Sequence, residues 1–288
     1  MYMGNIFNAL DWEALSKTGE VPTEIMLKYP ELMNWNHILQ NQQVPLEVLE
    51  KYAGKLIDWT TIIHNQKLPE NFIEKHYTTI MKYIKSDSLA MGQKLSMKFI
   101  EKHSNDLLDD YGIGFLTKYQ KLSESFIRKH LKRFKNGYIP TLLQYQTLPA
   151  KLIDELVGHD IGLLKIATEN QKLPEDFIRD RIHAYLNPRD VVIHQVLSEN
   201  FIRDYKKYFM EPGIIHHLIE YQTLSPEFIM ELDLEHKFPC SNPVPIATYQ
   251  DMPADWLYER KYTIINNASY AKWIKICNRA GIDPDKDE

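Results

Sequence analysis

The most regular polar feature of the sequence is a column of glutamines: Gln42, Gln66, Gln93, Gln120, Gln146, Gln171, Gln195, Gln222 and Gln250. Each stands two residues ahead of a large apolar residue. A side-chain amide carries two donors and an acceptor oxygen with two lone pairs, which suits it to tie off the unpaired amides and carbonyls at a turn between helices. Buried polar groups are nearly always hydrogen-bonded, so the column reads as a structural ladder. The competing chemistry is a row of amides that binds a ligand.

Counting the apolar residue as position zero, three histidines share position +8: His76, His103 and His130. That regularity suggests a metal or a proton relay. Other copies fill the position with Tyr29, Tyr52, Leu156, Tyr205 and Leu232. Packed helices also lie about 8–10 Å apart, so equivalent nitrogens cannot converge on one ion at roughly 2 Å. The histidines read as packing residues, and no metal site is expected.

Position +7 holds Lys28, Lys51, Lys75, Lys102 and Lys129 in the first five copies, then Glu155, Asp180, Asp204, Glu231 and Glu259. Position +6 switches in the opposite sense, from Glu50, Glu74 and Glu101 to Arg179 and Arg203. One reading is a ladder of ion pairs between repeats; the other is a lysine row that steers an acidic partner. Residues 51–150 hold 16 Lys and Arg against 9 Asp and Glu, a net of +7 between two acidic flanks. The densest basic run, Arg128 to Lys135, continues the row with Lys132 and Arg133. The candidate partner-binding set is therefore Lys75, Lys102, Lys129, Lys132 and Arg133. A protein is the first expected partner and nucleic acid the second.

Signals for catalysis are poor. His159-Asp160 is the bare dipeptide of HD phosphohydrolases, but it follows Gly158 at a turn and lacks partner ligands at suitable spacings. His216 and His217 would point about 100° apart on a helix, wrong for one metal. Neither Cys240 nor Cys277 has a CxxC partner, and no GxSxG, Walker or HExxH pattern occurs. A non-enzymatic chain without a cofactor is expected. A content of 44% hydrophobic and 25% charged residues excludes a disordered chain. No apolar run approaches the roughly 18 residues of a membrane span, and the N-terminus lacks the order of a signal peptide. With only two cysteines, a reducing, cytoplasmic setting fits best.

A repeat must position these residues. The string Gln, any residue, Leu, Pro or Ser, two variable residues and two large apolar residues recurs ten times, as in Gln66 to Ile73 and Gln93 to Ile100. Its anchors are Val21, Val44, Leu68, Leu95, Leu122, Leu148, Leu173, Leu197, Leu224 and Met252, spaced 23–28 residues apart. Pro or Ser after the anchor suits the first turn of a helix. Apolar residues at +4, +5 and often +8 then fall on one helical stripe. A second helix carries apolar residues nine and six positions before the next anchor, as at Trp59 and Ile62. Roughly ten residues per helix are expected, too short to stand alone and so obliged to stack. The spacing predicts an all-α fold, an α-solenoid of ten two-helix repeats forming one domain over 1–288. A half repeat at 5–18 precedes repeats starting near 21, 44, 68, 95, 122, 148, 173, 197, 224 and 252, and an acidic tail covers 283–288.

Asn41-Gln42-Gln43-Val44-Pro45-Leu46-Glu47-Val48-Leu49 resembles the turn and helix start of leucine-rich variant repeats, which are short all-helical units. The fuller pattern from Trp59 to Ile73 resembles repeats of uncharacterised bacteriophage and giant-virus proteins. The likeness covers roughly residues 12–282, and the tryptophan gives way to Ile or Leu in later copies. It implies a viral interaction protein, engaging a host or defence factor in the host cytoplasm, and carries no known active site.

Overall fold

The structure is a computed structural model and describes residues 11–18, 20–234 and 242–286. Gly19, Cys240, the start of the expected half repeat and the end of the acidic tail lie outside the described residues. Among those described there are 25 α-helices, one short 3-10 turn and no β-strand, so the fold is all-α and built of helical repeats. Two compact units divide between Gln146 and Thr147.

In each repeat the anchor leads into a short first helix. Ser96, Ser123, Ser198 and Ser225 follow their anchors, and each hydroxyl accepts the amide N–H three residues on, at 3.1–3.2 Å. That is the N-cap the sequence promises, worth about 1 kcal/mol apiece. Where Pro replaces Ser, its fixed φ starts the helix without a side-chain bond, as at Pro69 and Pro174. The +4 and +5 pair then enters the core: Phe72 and Ile73, Phe99 and Ile100, Phe126 and Ile127, and so on to Trp256 and Leu257. Each such side chain contributes roughly 1.5–3 kcal/mol by leaving water.

All first helices but one are shorter than the expected ten residues, and the reason is local. In the copy anchored at Leu68 the helix runs for 14 residues, Glu70–Tyr83, because Tyr77 at +9 and Ile80 at +12 extend its buried stripe. In three other copies +9 is Ser104, Leu131 or Lys206, none of them buried. There the +8 residue leaves the helical region at φ −105 to −110°, ψ 17 to 21°, and a separate four-residue helix follows. Without a continuous apolar stripe, tertiary packing no longer holds the longer helix together.

Second helices pack side by side in a row within each unit. In the first unit they are Trp12–Lys17, Trp35–Asn41, Trp59–Asn65, Ser86–Gly92, Gly112–Tyr119 and Ile139–Tyr145, each against its neighbours in chain order. In the second unit Ile161–Asn170, Pro188–His194, Pro212–Tyr221 and Val244–Tyr249 do the same. The residue six before the anchor is wholly buried in nine repeats, as Ile38, Ile62, Leu89, Leu116 and Leu142 in one unit and Ala167, Val191, Leu218 and Ile246 in the other; Leu15, ahead of the first anchor, is half-buried. Around Ser86–Gly92 the packing is close enough to require glycine. A Cβ on Gly92 would sit 2.4 Å from the Ile63 carbonyl oxygen, and one on Gly112 would sit 2.3 Å from that of Leu107. No helix among the described residues is long and apolar enough to cross a membrane.

Candidate functional site

The glutamine column is a ladder, and its rungs reach backward. Each Gln Oε1 accepts the anchor amide of the preceding repeat. Val21 donates to Gln42, Val44 to Gln66, Leu68 to Gln93, Leu95 to Gln120 and Leu122 to Gln146, at 2.7–3.1 Å. In the second unit Leu148, Leu173, Leu197 and Leu224 donate to Gln171, Gln195, Gln222 and Gln250 at 2.9–3.0 Å. The amide nitrogen closes the rung on two carbonyls. Gln120 donates to Ala90 and Gln93, Gln146 to Thr117 and Gln120, Gln222 to Val192 and Gln195, at 2.5–2.8 Å. The acceptors are the last orphan carbonyls of the preceding second helix. From Gln66 onward these glutamines are buried; Gln42, at the start of the column, is half-buried.

The sequence does not show where the column stops. No repeat follows Gln250 with another glutamine; instead Arg279, on the Tyr270–Ala280 helix, donates to Ala247 O at 2.8 Å and Gln250 O at 2.7 Å, and also to Thr248 O. A guanidinium replaces the amide on the equivalent pair of carbonyls. It has donors only, so it serves the carbonyl half of the rung.

Position +7 is tied into a second, ionic ladder. Lys75 Nζ lies 2.8 Å from Glu50 Oε2, and Lys102 pairs with Glu74, each glutamate belonging to the preceding repeat. The +8 histidines share those carboxylates: His76 Nε2 to Glu50 at 3.1 Å and His103 Nε2 to Glu74 at 2.9 Å. Lysine and histidine bonds together hold both carboxyls below the usual glutamate range. In the second unit the same register runs with reversed sign, Arg203 at +6 donating twice to Glu231 at +7, both at 2.7 Å. The sign switch along the sequence is therefore one geometry used with either polarity. Glutamates at +2 add a third tie: Glu70, Glu175 and Glu199 accept the amides of Ser96, Ser198 and Ser225 at 2.6 Å. No motif marked these last contacts, because a lone +2 acid looks like ordinary first-turn preference.

His76, His103 and His130 each pack, tilted by 45–49°, on the +4 phenylalanine of their own repeat, at 4.6–4.7 Å between ring centres. His130 differs from the other two. Its Nε2 is buried without a hydrogen-bond partner among the described residues. Burial, with Lys129 and Arg133 nearby, pushes its pKa down. Lys129 and Lys132 are exposed, and Arg133 donates to the Leu108 carbonyl at 3.0 Å. The five candidate cations therefore differ in their surroundings: two are in ion pairs, two face solvent, and one binds backbone.

Further unpaired cations of the first unit form a second row. Lys67, Lys94 and Lys121 occupy the position directly before the anchor in three successive repeats, all exposed and without an ion pair among the described residues. Beside them, the second helices present Met91, Phe115, Tyr119 and Tyr145, each 36–46% exposed. Phe115 and Tyr119 stack at 6.0 Å, and Lys118 lies 5.2 Å from the Tyr119 ring and 5.4 Å from that of Tyr145. Across the five second helices from Trp35 to Tyr145 the only acid is Asp87. Corresponding helices of the second unit include Glu169, Asp190 and Glu220.

The remaining chemical candidates resolve into local roles. Asp160 caps its helix by accepting the Leu163 amide at 2.9 Å, while His159 packs on Tyr185 at 4.8 Å, so the dipeptide diverges. His216 and His217 stand 6.0 Å apart between ring centres, at 70°. Cys277 is buried, and burial pushes its thiol pKa up, away from reactivity. No group of three or more His, Cys, Asp or Glu converges as metal ligands would among the described residues. An open cleft near the start of the chain, between Leu32, Trp35, Leu56, Trp59 and Tyr83, gathers no such cluster either. No protein family matches the chain, and neither a curated protein nor a solved structure gives a match.

Proposed function

We propose that the chain is a non-enzymatic binding scaffold, an α-solenoid that offers one face of its repeats to a macromolecular partner, in the first instance a protein. The observation that carries this reading is a division of labour among side chains. The glutamine column, a set of glutamates, and Lys75, Lys102, His76 and His103 among the lysines and histidines are occupied in holding one repeat to the next. What stays outside those ladders is a surface: exposed aromatics and unpaired lysines on a nearly acid-free row of helices. On the resemblance of its repeats to those of bacteriophage and giant-virus proteins, we read it as a viral protein working in host cytoplasm against a host or defence factor. The second reading, nucleic-acid binding, is favoured by the exposed Lys129 and Lys132 in the basic run. Titration of the purified chain against single- and double-stranded DNA and RNA at two salt concentrations, beside affinity capture from host lysate, separates them. A specific protein partner with no salt-sensitive gel shift supports the first; a shift whose affinity falls steeply with salt overturns it in favour of the second.

A further inference from the structure

The geometry points to the second-helix face of the first unit as a docking surface for an acidic peptide segment that carries aromatic or aliphatic residues. This inference rests on the protein-binding reading above and names its surface and its ligand class. Two sets of residues define it. Phe115, Tyr119 and Tyr145 project from adjoining helices, and Tyr is among the side chains that dominate protein interfaces because it offers a large area at low entropic cost. Lys94, Lys118 and Lys121 border them, exposed and outside the ion-pair ladder that occupies Lys75 and Lys102.

Charge complementarity selects an acidic partner. A carboxylate brought to Lys118 meets no competing acid on its own helix or on the Ile139–Tyr145 helix beside it. Spacing selects a peptide over nucleic acid. Neighbouring helices pack about 8–10 Å apart, so the pre-anchor row supplies one lysine per such step. An extended peptide covers about 3.3–3.6 Å per residue, and an acid at every third residue matches that step. Duplex DNA carries a charge for about every 1.7 Å of its axis, far denser than this row. The second unit lacks the feature, because its pre-anchor residues are Thr147, Lys172, Val196, Thr223 and Asp251.

The test pans random 16-residue peptides displayed on phage against the full chain. Selected peptides are then synthesised with fluorescein and titrated by fluorescence polarisation. Probes of sixteen thymidine or uridine nucleotides are measured alongside. The variants are K94A/K118A/K121A and Y119A/Y145A, both confined to exposed side chains and checked for unchanged helix content. Selected peptides should be rich in Asp or Glu at three- to four-residue spacing with interspersed apolar residues. Each variant should weaken them at least 10-fold, and the lysine-dependent part should shrink as salt rises. Peptides whose affinity neither variant changes would overturn this surface and leave the scaffold reading standing. If no peptide is selected, this surface assignment falls, while the scaffold reading is decided by the capture experiment above. Oligonucleotides that bind more tightly than every selected peptide would overturn the assignment in favour of nucleic acid.

Discussion

Replacing Gln120 with alanine removes one complete rung from the middle of the first unit. The rung consists of three bonds: Leu95 N–H to Oε1 at 2.9 Å, and Nε2 to the carbonyls of Ala90 at 2.5 Å and Gln93 at 2.7 Å. All the groups are buried, Ala90 completely and Leu95 to 7% exposure. At a net of about 1 kcal/mol per neutral hydrogen bond the loss comes to about 3 kcal/mol. Water entering the space would soften it, and unpaired buried groups would raise it. Gln42→Ala, by contrast, removes only the two bonds to Val21 at a half-buried site and should cost about 1–2 kcal/mol. Gln120→Glu keeps the acceptor but puts a carboxylate against two carbonyl oxygens, so it should be worse than alanine.

Urea unfolding supplies the overall free energies, but repeat arrays need not unfold in one step. Amide exchange at Leu95 is the sharper assay, since that N–H has no other acceptor in the ladder. In Gln120→Ala it should exchange at least 10-fold faster, while Leu148, in the other unit, should be unchanged. A loss below about 0.5 kcal/mol together with unaltered exchange at Leu95 would refute the structural reading of the column.

Other perturbations probe the same framework. Gly92→Ala should destabilise by about 1–3 kcal/mol, the usual cost of overpacking, since its Cβ meets backbone at Ile63; a neutral melting temperature would show that the helices can separate freely. Exchanging the partners of an ionic rung, E74K/K102E, should recover most of what either single change loses, because Arg203 and Glu231 run the same register with opposite sign; a double-mutant cycle with no coupling would count against this. Arg279→Ala should speed exchange at the C-terminal end of the second unit and leave the first unit unaffected. The pH profile of stability should fall in two stages. His130 is held below the ordinary value of 6.5 by burial first and by Lys129 and Arg133 second, so below that pH the unfolded chain takes up a proton that the folded chain resists, and stability drops. His130→Phe should reduce that first stage and leave the part contributed by His217, which burial also depresses, whereas the second, below pH 4.5, reflects the depressed carboxyls of Glu50, Glu74 and Glu231 and should remain.

The helical period, the buried columns and the structural use of glutamine were all legible in the sequence, because each depends on residue type at a fixed spacing. What the spacing could not tell is direction. Whether Gln120 serves its own turn or the one before it depends on how repeats stack, and the structure shows it bonded across the repeat boundary to Leu95, Ala90 and Gln93. Arg279 escaped notice for a related reason: it performs the glutamine's task from a different residue type and a longer helix, so no pattern search would align it. The lysines at +7 drew attention by their regular sign, yet two of them, Lys75 and Lys102, are tied to the preceding repeat, while Lys129 faces solvent. Lys94, Lys118 and Lys121 stay outside such pairs, and nothing in one-dimensional spacing separates a paired lysine from an unpaired one.

The polarity of the ionic ladder bears on how such an array can acquire a binding face. A rung of Glu50 with Lys75 and one of Arg203 with Glu231 make equivalent ties, so its sign is free to vary along the chain without cost to stacking. Exposed pairs of this kind contribute about 0–1 kcal/mol each, small beside the buried glutamine rungs and apolar columns. Stability therefore resides in the neutral ladder, while charge can drift or be selected. The near absence of acids from the second helices of the first unit is then a property that stacking does not demand. Neither the glutamine rungs nor the buried columns use Lys118, Tyr119 or Tyr145, and their side chains stay open to solvent. A surface that the framework leaves unconstrained, and whose five consecutive helices carry a single acid, Asp87, and a single lysine, Lys118, among exposed aromatics, is best explained by what it meets in solution.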